Sequence, residues 1–247
     1  MPEGPSIVIL RELAAGFAGK RVLAAAGNTR TIDPARMRGR TLRRVASWGK
    51  HFLLQFDGFA LRVHFMLYGS YAIDAEKPGR VPRLQLGFAR GRQLNFYACS
   101  LRYLEGDIDD SYDFSTDVMS DEWNSRAALR ALRADPDALA CDALLEQDVF
   151  SGVGNIIKNE VLFRVRVDPR SRIGALPAPR LRELVRQARE YSFDFYRWKK
   201  AFVLRKHYQV HTKATCPRDG TRLSYARQLG RKQRRAFWCP ACQKLYE

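Results

Sequence analysis

Three groups of residues in this 247-residue chain have the types and spacing to do chemistry. The first is the start, Met1-Pro2-Glu3-Gly4-Pro5. A small second residue permits removal of the initiator methionine, which exposes the secondary amine of Pro2. An α-amino group titrates near ~8 and a lysine amine near ~10.4, so a useful fraction of Pro2 is unprotonated at neutral pH. Such an amine attacks an aldehyde or a sugar C1′ and forms an iminium, an electron sink for elimination. Glu3 can move protons beside it, and Gly4 and Pro5 hold the terminus in a turn. Met-Pro-Glu also begins chains in which it does nothing, so the motif gains weight only in company.

The second group is Gly152-Val-Gly154-Asn155-Ile-Ile-Lys158. Two glycines at a helix start let backbone N–H groups approach an anion closely, and Asn155 adds a side-chain donor there. The third glycine of a dinucleotide fingerprint is missing, so the segment reads as a phosphate clamp in a helix–turn–helix unit. The third group is Cys216-Pro-Arg-Asp219, then nineteen residues, then Cys239-Pro-Ala-Cys242. This spacing fits a zinc hairpin in which Asp219 stands where a second cysteine would complete the first pair. Carboxylate oxygen binds zinc, so one structural Zn2+ on Cys216, Asp219, Cys239 and Cys242 is expected. His211 competes for the fourth position, and a redox Cys-Pro-Ala-Cys pair is the alternative. Inside the hairpin, Gly230-Arg-Lys-Gln-Arg234-Arg235 is either a solvated face or a metal-stapled prong suited to a groove or phosphate contact. Cys99 and Cys141 stand alone and read as small buried hydrophobes.

These groups need elements to position them. Ile7, Leu10, Ala14 and Phe17 recur at helical spacing, which predicts a helix over 6–18 with Gly19 as its cap. To about residue 100 the pattern is β. His51–Phe56 and Phe59–Phe65 flank Asp57-Gly58, a strong hairpin signal, and Leu84–Arg90 and Arg92–Tyr97 flank Gly91. The acidic, weakly periodic stretch 105–122 reads as a connection. Short helices are expected at 127–132, 139–145 and 155–163, and a long one after Pro177 and Pro179. The fold class is α+β: a β-sandwich domain with an N-terminal helix (1–118), a mainly helical domain (119–206) and a zinc β-hairpin (207–247).

Charge points to the partner. Lys plus Arg number 43 against 26 Asp plus Glu, a formal net charge of +17, and residues 164–247 carry 22 of the cations with only 6 of the anions. That concentration, interleaved with Tyr191, Phe193, Phe195, Tyr196, Trp198, Phe202 and Tyr208, is the footprint of a polyanion site, most often nucleic acid. A hydrophobic content of 46% excludes disorder, and five cysteines do not make a disulfide framework. No window approaches the ~18 apolar residues of a membrane helix, so a soluble cytoplasmic, nucleoid-associated protein is expected.

Together, Met-Pro-Glu-Gly-Pro at the start, Gly-x-Gly-Asn followed by Glu160-Val-Leu-Phe163, and a terminal hairpin closing Phe-Trp-Cys-Pro-x-Cys-Gln resemble the formamidopyrimidine-DNA glycosylase and endonuclease VIII family of base-excision repair enzymes. The likeness runs over essentially the full length. It implies that Pro2 is the nucleophile that displaces a damaged base at C1′, that Glu3 protonates the opening sugar, and that Lys50 contacts phosphate next to the lesion. It further implies that Asn155 binds phosphate with Glu160 as its acidic partner. Met66-Leu67-Tyr68 resembles the endonuclease VIII loop that fills the gap left by a flipped nucleotide; continuation of the core is its other reading. Arg234 stands where the family has its zinc-hairpin arginine, with Arg235 a neighbouring candidate and Lys158 a further cation on the clamp helix. The implied activity is a monomeric glycosylase and lyase acting on damaged double-stranded DNA by β- and then δ-elimination. A non-catalytic DNA-binding protein on the same scaffold is the competing reading, and a generic zinc-ribbon protein leaves the N-terminal motif unexplained. Asp219 departs from the family's four-cysteine pattern.

Overall fold

The computed structural model describes residues 2–247, so the expected loss of Met1 lies outside the described residues. The chain divides into two compact units, Met1–Asp113 and Phe114–Glu247, with Met1 again outside the description.

The first unit opens with α1 (Gly4–Ala14), followed by a 3-10 turn over Ala15–Phe17. The helix starts two residues earlier than its apolar spacing indicates because Pro5 lies in its first turn, where a proline lacks nothing the helix needs. Ile7, Leu10, Ala14 and Phe17 are buried and belong to the core of this unit. The six-stranded antiparallel sheet has the order β1-β5-β6-β4-β3-β2, built from β1 (Ala24–Ala26), β2 (Arg44–Trp48), β3 (His51–Phe56), β4 (Phe59–Ile73), β5 (Leu84–Gly87) and β6 (Gln93–Glu105). Both expected hairpins form, β3–β4 across Asp57-Gly58 and β5–β6 across Gly91. Gly58 has φ 80°, a conformation open to glycine at little cost.

The long strands β4 and β6 serve two layers. The first half of β4 pairs with β3, whereas the first part of β6 pairs with β5, and the pairing of β4 with β6 shifts register between Phe65 and Ser70. Side chains from both halves meet in one core, as in Phe52 against Phe96 at 5.8 Å and Phe65 against Phe96 at 6.3 Å. The sheet is thereby a sandwich whose core takes in the buried face of α1. A short α2 (Ile108–Ser111) ends the unit, and buried Gln55 pins it: its Nε2 donates to the carbonyls of Phe56, Phe59 and Gly106, and its Oε1 accepts from Ile108 N–H.

The second unit holds α3 (Ser125–Ala134), α4 (Ala140–Ala143), α5 (Asn155–Arg164) and α6 (Ala178–Lys200), then a hairpin of β7 (Ser224–Leu229) and β8 (Arg234–Trp238). Leu181, Leu184, Val185, Ala188, Tyr191 and Phe195 form the buried stripe of α6 at three- and four-residue spacing. The hairpin packs on α5 through a second core of Phe163, Val210, Cys216, Phe237 and Cys239.

Candidate functional site

In the first unit, Glu3 is the N-cap residue of α1 and is 3% exposed, while Pro2 ahead of it is half-buried. The Glu3 carbonyl accepts Ser6 N–H at 2.8 Å, so the first helical turn fixes the backbone that carries both residues. Lys50 sits in the turn between β2 and β3, where Gly49 adopts φ 50°. An aromatic stack supports that turn. Trp48 Nε1 donates to the Asp113 carbonyl at 2.9 Å, Tyr112 packs 5.0 Å from Trp48, and the Tyr112 hydroxyl lies 3.2 Å from His51 Nδ1. Burial, followed by the charges of His64, Arg62 and Lys50, pushes His51 down to about 3, and burial, Arg62 and Lys50 lower His64. Both imidazoles beside Lys50 are therefore neutral at physiological pH.

Met66, Leu67 and Tyr68 are 55%, 57% and 79% exposed. They do not follow a strand end. The strand continues to Ile73, and because Phe65 pairs with Cys99 and Ser70 with Tyr97, residues 66–69 bulge out against Ala98 alone. Ala98 takes φ 47° to accommodate them. Gly69 closes the bulge: a Cβ there would stand 2.7 Å from Phe65 Cβ and 2.8 Å from the Ala98 carbonyl oxygen and Met66 N. The sheet thus expels the three side chains, and continuation of the core does not describe them.

In the second unit, α5 begins at Asn155 with Gly154 as its N-cap and no side-chain cap. Asn155 Oδ1 is buried without a hydrogen-bond partner. An amide has donor and acceptor ends related by a half-turn, so this position can offer an N–H to an anion at the helix N-terminus. Glu160 is fully buried; its Oε1 accepts Val210 N–H at 3.1 Å and His211 N–H at 2.8 Å, and its Oε2 accepts Gln209 N–H at 3.0 Å. Burial raises its pKa and the three amides oppose the rise. Glu160 therefore ties α5 to the turn over residues 209–211 that leads toward the hairpin.

Two expectations are corrected here. Lys158 is 1% exposed and its Nζ donates to the Arg235 carbonyl at 2.8 Å, so it braces β8 and does not face solvent as a phosphate ligand would. The hairpin tip is not a free prong either. Asp142 accepts the backbone N–H of Arg231 at 2.7 Å and of Lys232 at 2.9 Å, Lys232 Nζ meets Glu146 at 2.7 Å, and Arg231 meets Asp135 at 2.8 Å. The tip docks on its own unit because three carboxylates there complement it. Arg234 is half-buried and Arg235 is exposed, and neither is in an ion pair among the described residues.

Cys216, Asp219, Cys239 and Cys242 place one potential ligand atom each within 4.8 Å of one another and can hold a metal ion. A tetrahedral site with metal–sulfur about 2.3 Å and metal–oxygen about 2.0 Å needs S···S near ~3.8 Å and S···O near ~3.5 Å. Cys216 and Cys242 sulfurs lie 3.9 Å apart, and Cys239 Sγ lies 3.3 Å from Asp219 Oδ2. Asp219 Oδ1 accepts Thr221 N–H at 2.9 Å, which leaves Oδ2 for the metal. That amide and the Cys216 thiol hold the Asp219 carboxyl down at about 2. His211 stands outside the group. It is buried, with Nδ1 3.1 Å from Asn159 Nδ2, and packs against Tyr208 and Phe237. Cys99 and Cys141 are buried, and burial pushes both thiols up to about 12, which fits the packing role expected of them.

Sequence reasoning missed Asn159. It is completely buried, donates to the Asn155 carbonyl at 2.8 Å and accepts Phe237 N–H at 3.3 Å, so it joins α5, His211 and β8. Its position one helical turn after Asn155 was the available signal. Asp142 had none, since its partners lie far along the chain.

The description "formamidopyrimidine-DNA glycosylase N-terminal domain" matches residues 1–99, and "formamidopyrimidine-DNA glycosylase H2TH domain" matches residues 115–191. Endonuclease 8-like 3 of Xenopus laevis is 30% identical over 86% of this chain, which spans only 36% of that protein, about a third of its length. Endonuclease 8-like 2 of Mus musculus is 27% identical over 98% of this chain and 96% of its own length. A crystal structure of Lactococcus lactis formamidopyrimidine-DNA glycosylase, bound non-covalently to DNA containing an AP site, shares the fold at TM-score 0.84 and 19% identity, covering 98% of this chain and 99% of that one. Two domain models of one family match in their order, and Endonuclease 8-like 2 is alike over nearly the whole of both chains: the chain belongs to the formamidopyrimidine-DNA glycosylase and endonuclease VIII family.

Proposed function

We propose that this protein is a bifunctional DNA glycosylase and AP lyase that removes an oxidised base from double-stranded DNA. The observation that carries the reading is the expelled triplet Met66-Leu67-Tyr68. Monomeric soluble proteins rarely expose contiguous large apolar side chains, and those that do mark interaction sites; here three adjoin in one bulge. An apolar wedge that enters a base stack stabilises an extruded nucleotide, and chemistry at C1′ requires that extrusion. The same unit carries Pro2 and Glu3 immediately ahead of the first turn of α1, with Glu3 as its N-cap residue.

In the proposed reaction the Pro2 nitrogen lone pair forms a bond to C1′, the base leaves with the electrons of the glycosidic bond, and the proton of the Pro2 amine passes to the departing base. Glu3 protonates the ring oxygen as the sugar opens, giving an iminium between Pro2 and C1′. Loss of a C2′ proton then expels the 3′ phosphate, and a second elimination expels the 5′ phosphate. Lys50 holds a phosphate next to the lesion, with neutral His51 adding no competing charge. Asn155, Arg234 and Arg235 hold backbone phosphates, and Glu160 fixes the clamp helix. Cys216, Asp219, Cys239 and Cys242 would hold a single zinc ion, which staples the hairpin and takes no part in the reaction. The Met66-Leu67-Tyr68 triplet resembles that of the endonuclease VIII branch, which favours oxidised pyrimidines, and an oxidised pyrimidine is therefore the first lesion to test.

Borohydride trapping tests this on duplexes carrying an abasic site or an oxidised pyrimidine. Met-processed protein is expected to form a covalent adduct, and Pro2→Gly and an N-terminally extended form to lose most of it. Absence of any adduct with the processed protein would overturn the catalytic reading and leave a DNA-binding protein on this scaffold.

A further inference from the structure

A groove of about 940 Å3 lies between α3 and α6 in the second unit. That is the size of a site for a ligand or a few peptide side chains. Its floor is apolar, made of Trp123, Leu129, Val185 and Phe193, and its rim is rich in arginine. On α6 the lining recurs at Arg182, Arg186, Arg189, Phe193 and Arg197, whereas the stripe buried in the unit's core runs through Leu184, Ala188, Tyr191 and Phe195. At about 100° per residue these sets lie on opposite sides of the helix, with buried Val185 at the boundary between them. Asp194 borders the groove and pairs with Arg164 of α5, whereas Tyr191 and Trp198, which also meet Arg164, do not line it. No residue of the phosphate clamp at the start of α5 lines it.

The arginines divide into two sets. Arg186 is held by Glu183 and Glu190, Arg197 by Asp194, and Arg189 donates to the carbonyls of Val118 and Ser120 at 3.1 and 2.7 Å. These are fixed in place. Arg126 and Arg182 are exposed and have no ion-pair or hydrogen-bond partner among the described residues. A rim with two unpaired guanidiniums above an apolar floor is complementary to carboxylates flanking an aromatic or large aliphatic side chain.

We propose that this groove docks an acidic segment of a partner protein that bears one aromatic anchor, with the anchor against Phe193 and Leu129 and its carboxylates on Arg126 and Arg182. DNA fits the surface less well. A duplex presents phosphates along a convex cylinder, cannot bury a side chain in a concave apolar floor, and would meet the carboxylates of Glu190 and Asp194. The proposal does not depend on the glycosylase reading, since no residue of the groove belongs to the proposed catalytic or DNA-binding set.

Fluorescence anisotropy of the full chain tests it, with a fluorescein-labelled peptide of aspartates and glutamates around one phenylalanine. Saturable binding is expected, weakened about tenfold or more by Arg126→Glu with Arg182→Glu, and also by alanine in place of the peptide's phenylalanine. Both arginines are exposed and unpaired, so the double variant should melt with the parent; Phe193→Ala provides a second, charge-neutral check. A saturating DNA duplex should leave the peptide bound. Failure to saturate, unchanged affinity in the double variant, or displacement of the peptide by duplex would each overturn the proposal, the last assigning the groove to nucleic acid.

Discussion

Gly69 is glycine because residues 66–69 must turn out of the sheet within the space of one residue on β6. A methyl group would press on Phe65 Cβ and on backbone at Ala98 and Met66, which are not flexible tips that can move aside. Gly69→Ala should lower the stability of the first unit by about 1–3 kcal/mol, the usual cost of overpacking, in denaturant unfolding. If the wedge acts in duplex DNA, the same variant should lose excision from duplex substrate while cleavage of a single-stranded abasic site persists; equal loss on both would detach the bulge from the wedge role. Asp219 presents a comparable single-residue question. Its Oδ2 lies where it would complete a ligand set beside Cys239, whereas His211 is engaged with Asn159. Metal analysis of purified protein should find bound zinc reduced in Asp219→Ala, retained in His211→Ala and retained in Asp219→Cys. Zinc retained in Asp219→Ala would assign the fourth position elsewhere.

Among elements, the β7–β8 hairpin separates bracing cations from available ones. Arg231 and Lys232 are turned onto Asp135 and Glu146, with Asp142 gripping the tip backbone, while Arg234 and Arg235 stand outside any ion pair among the described residues. Each phosphate contact contributes about one unit to the slope of log affinity against log salt. Arg234→Ala and Arg235→Ala should each reduce that slope in a DNA titration by up to about one unit, whereas Arg231→Ala with Lys232→Ala should leave it unchanged and lower the melting temperature. The reverse pattern would restore the free prong. Local signals made much of this element and its neighbours legible. Glycines before Asn155 marked the start of α5, and the cysteine spacing marked the metal-ready hairpin. What was not legible depended on distant partners. The tip's docking requires carboxylates from α4 and its flanks, and the burial of Lys158 requires the β8 carbonyl that receives it. The bulge was hidden for a different reason: Phe65-Met66-Leu67-Tyr68 is an unbroken apolar run, and such a run has no period to distinguish burial from expulsion.

At the scale of the whole molecule, the excess charge does two jobs. Many cations of the last third are structural: Arg164, Arg170, Arg172, Arg186 and Arg197 are in ion pairs, and Arg218 caps Phe163 with its guanidinium 3.8 Å from the ring. The same cationic surroundings keep histidines neutral. His211 is driven to about 4 by burial and then by Arg235 and Lys158, and His51 to about 3 by burial and then by His64, Arg62 and Lys50. A histidine with a folded-state pKa below its unfolded value of about 6.5 gives full stabilisation above that value. The contribution is lost as pH falls from about 6.5 toward the folded value, because the unfolded chain takes up the proton first. Glu160 beside the His211 amide opposes this in its own range, since its raised pKa favours protonation of the folded state. The histidines titrate first on acidification, so thermal unfolding of both units should begin to shift downward near pH 6, ahead of ordinary carboxylate titration. At about 1.4 kcal/mol per unit the loss by pH 4 is on the order of 3 kcal/mol for His211. His211→Gln should flatten that part of the profile in the second unit and His51→Gln in the first, with each unit's transition followed separately by calorimetry. A profile that stays level between pH 7 and 5 in the parent would show that the neutral histidines do not set the acid limit of the fold.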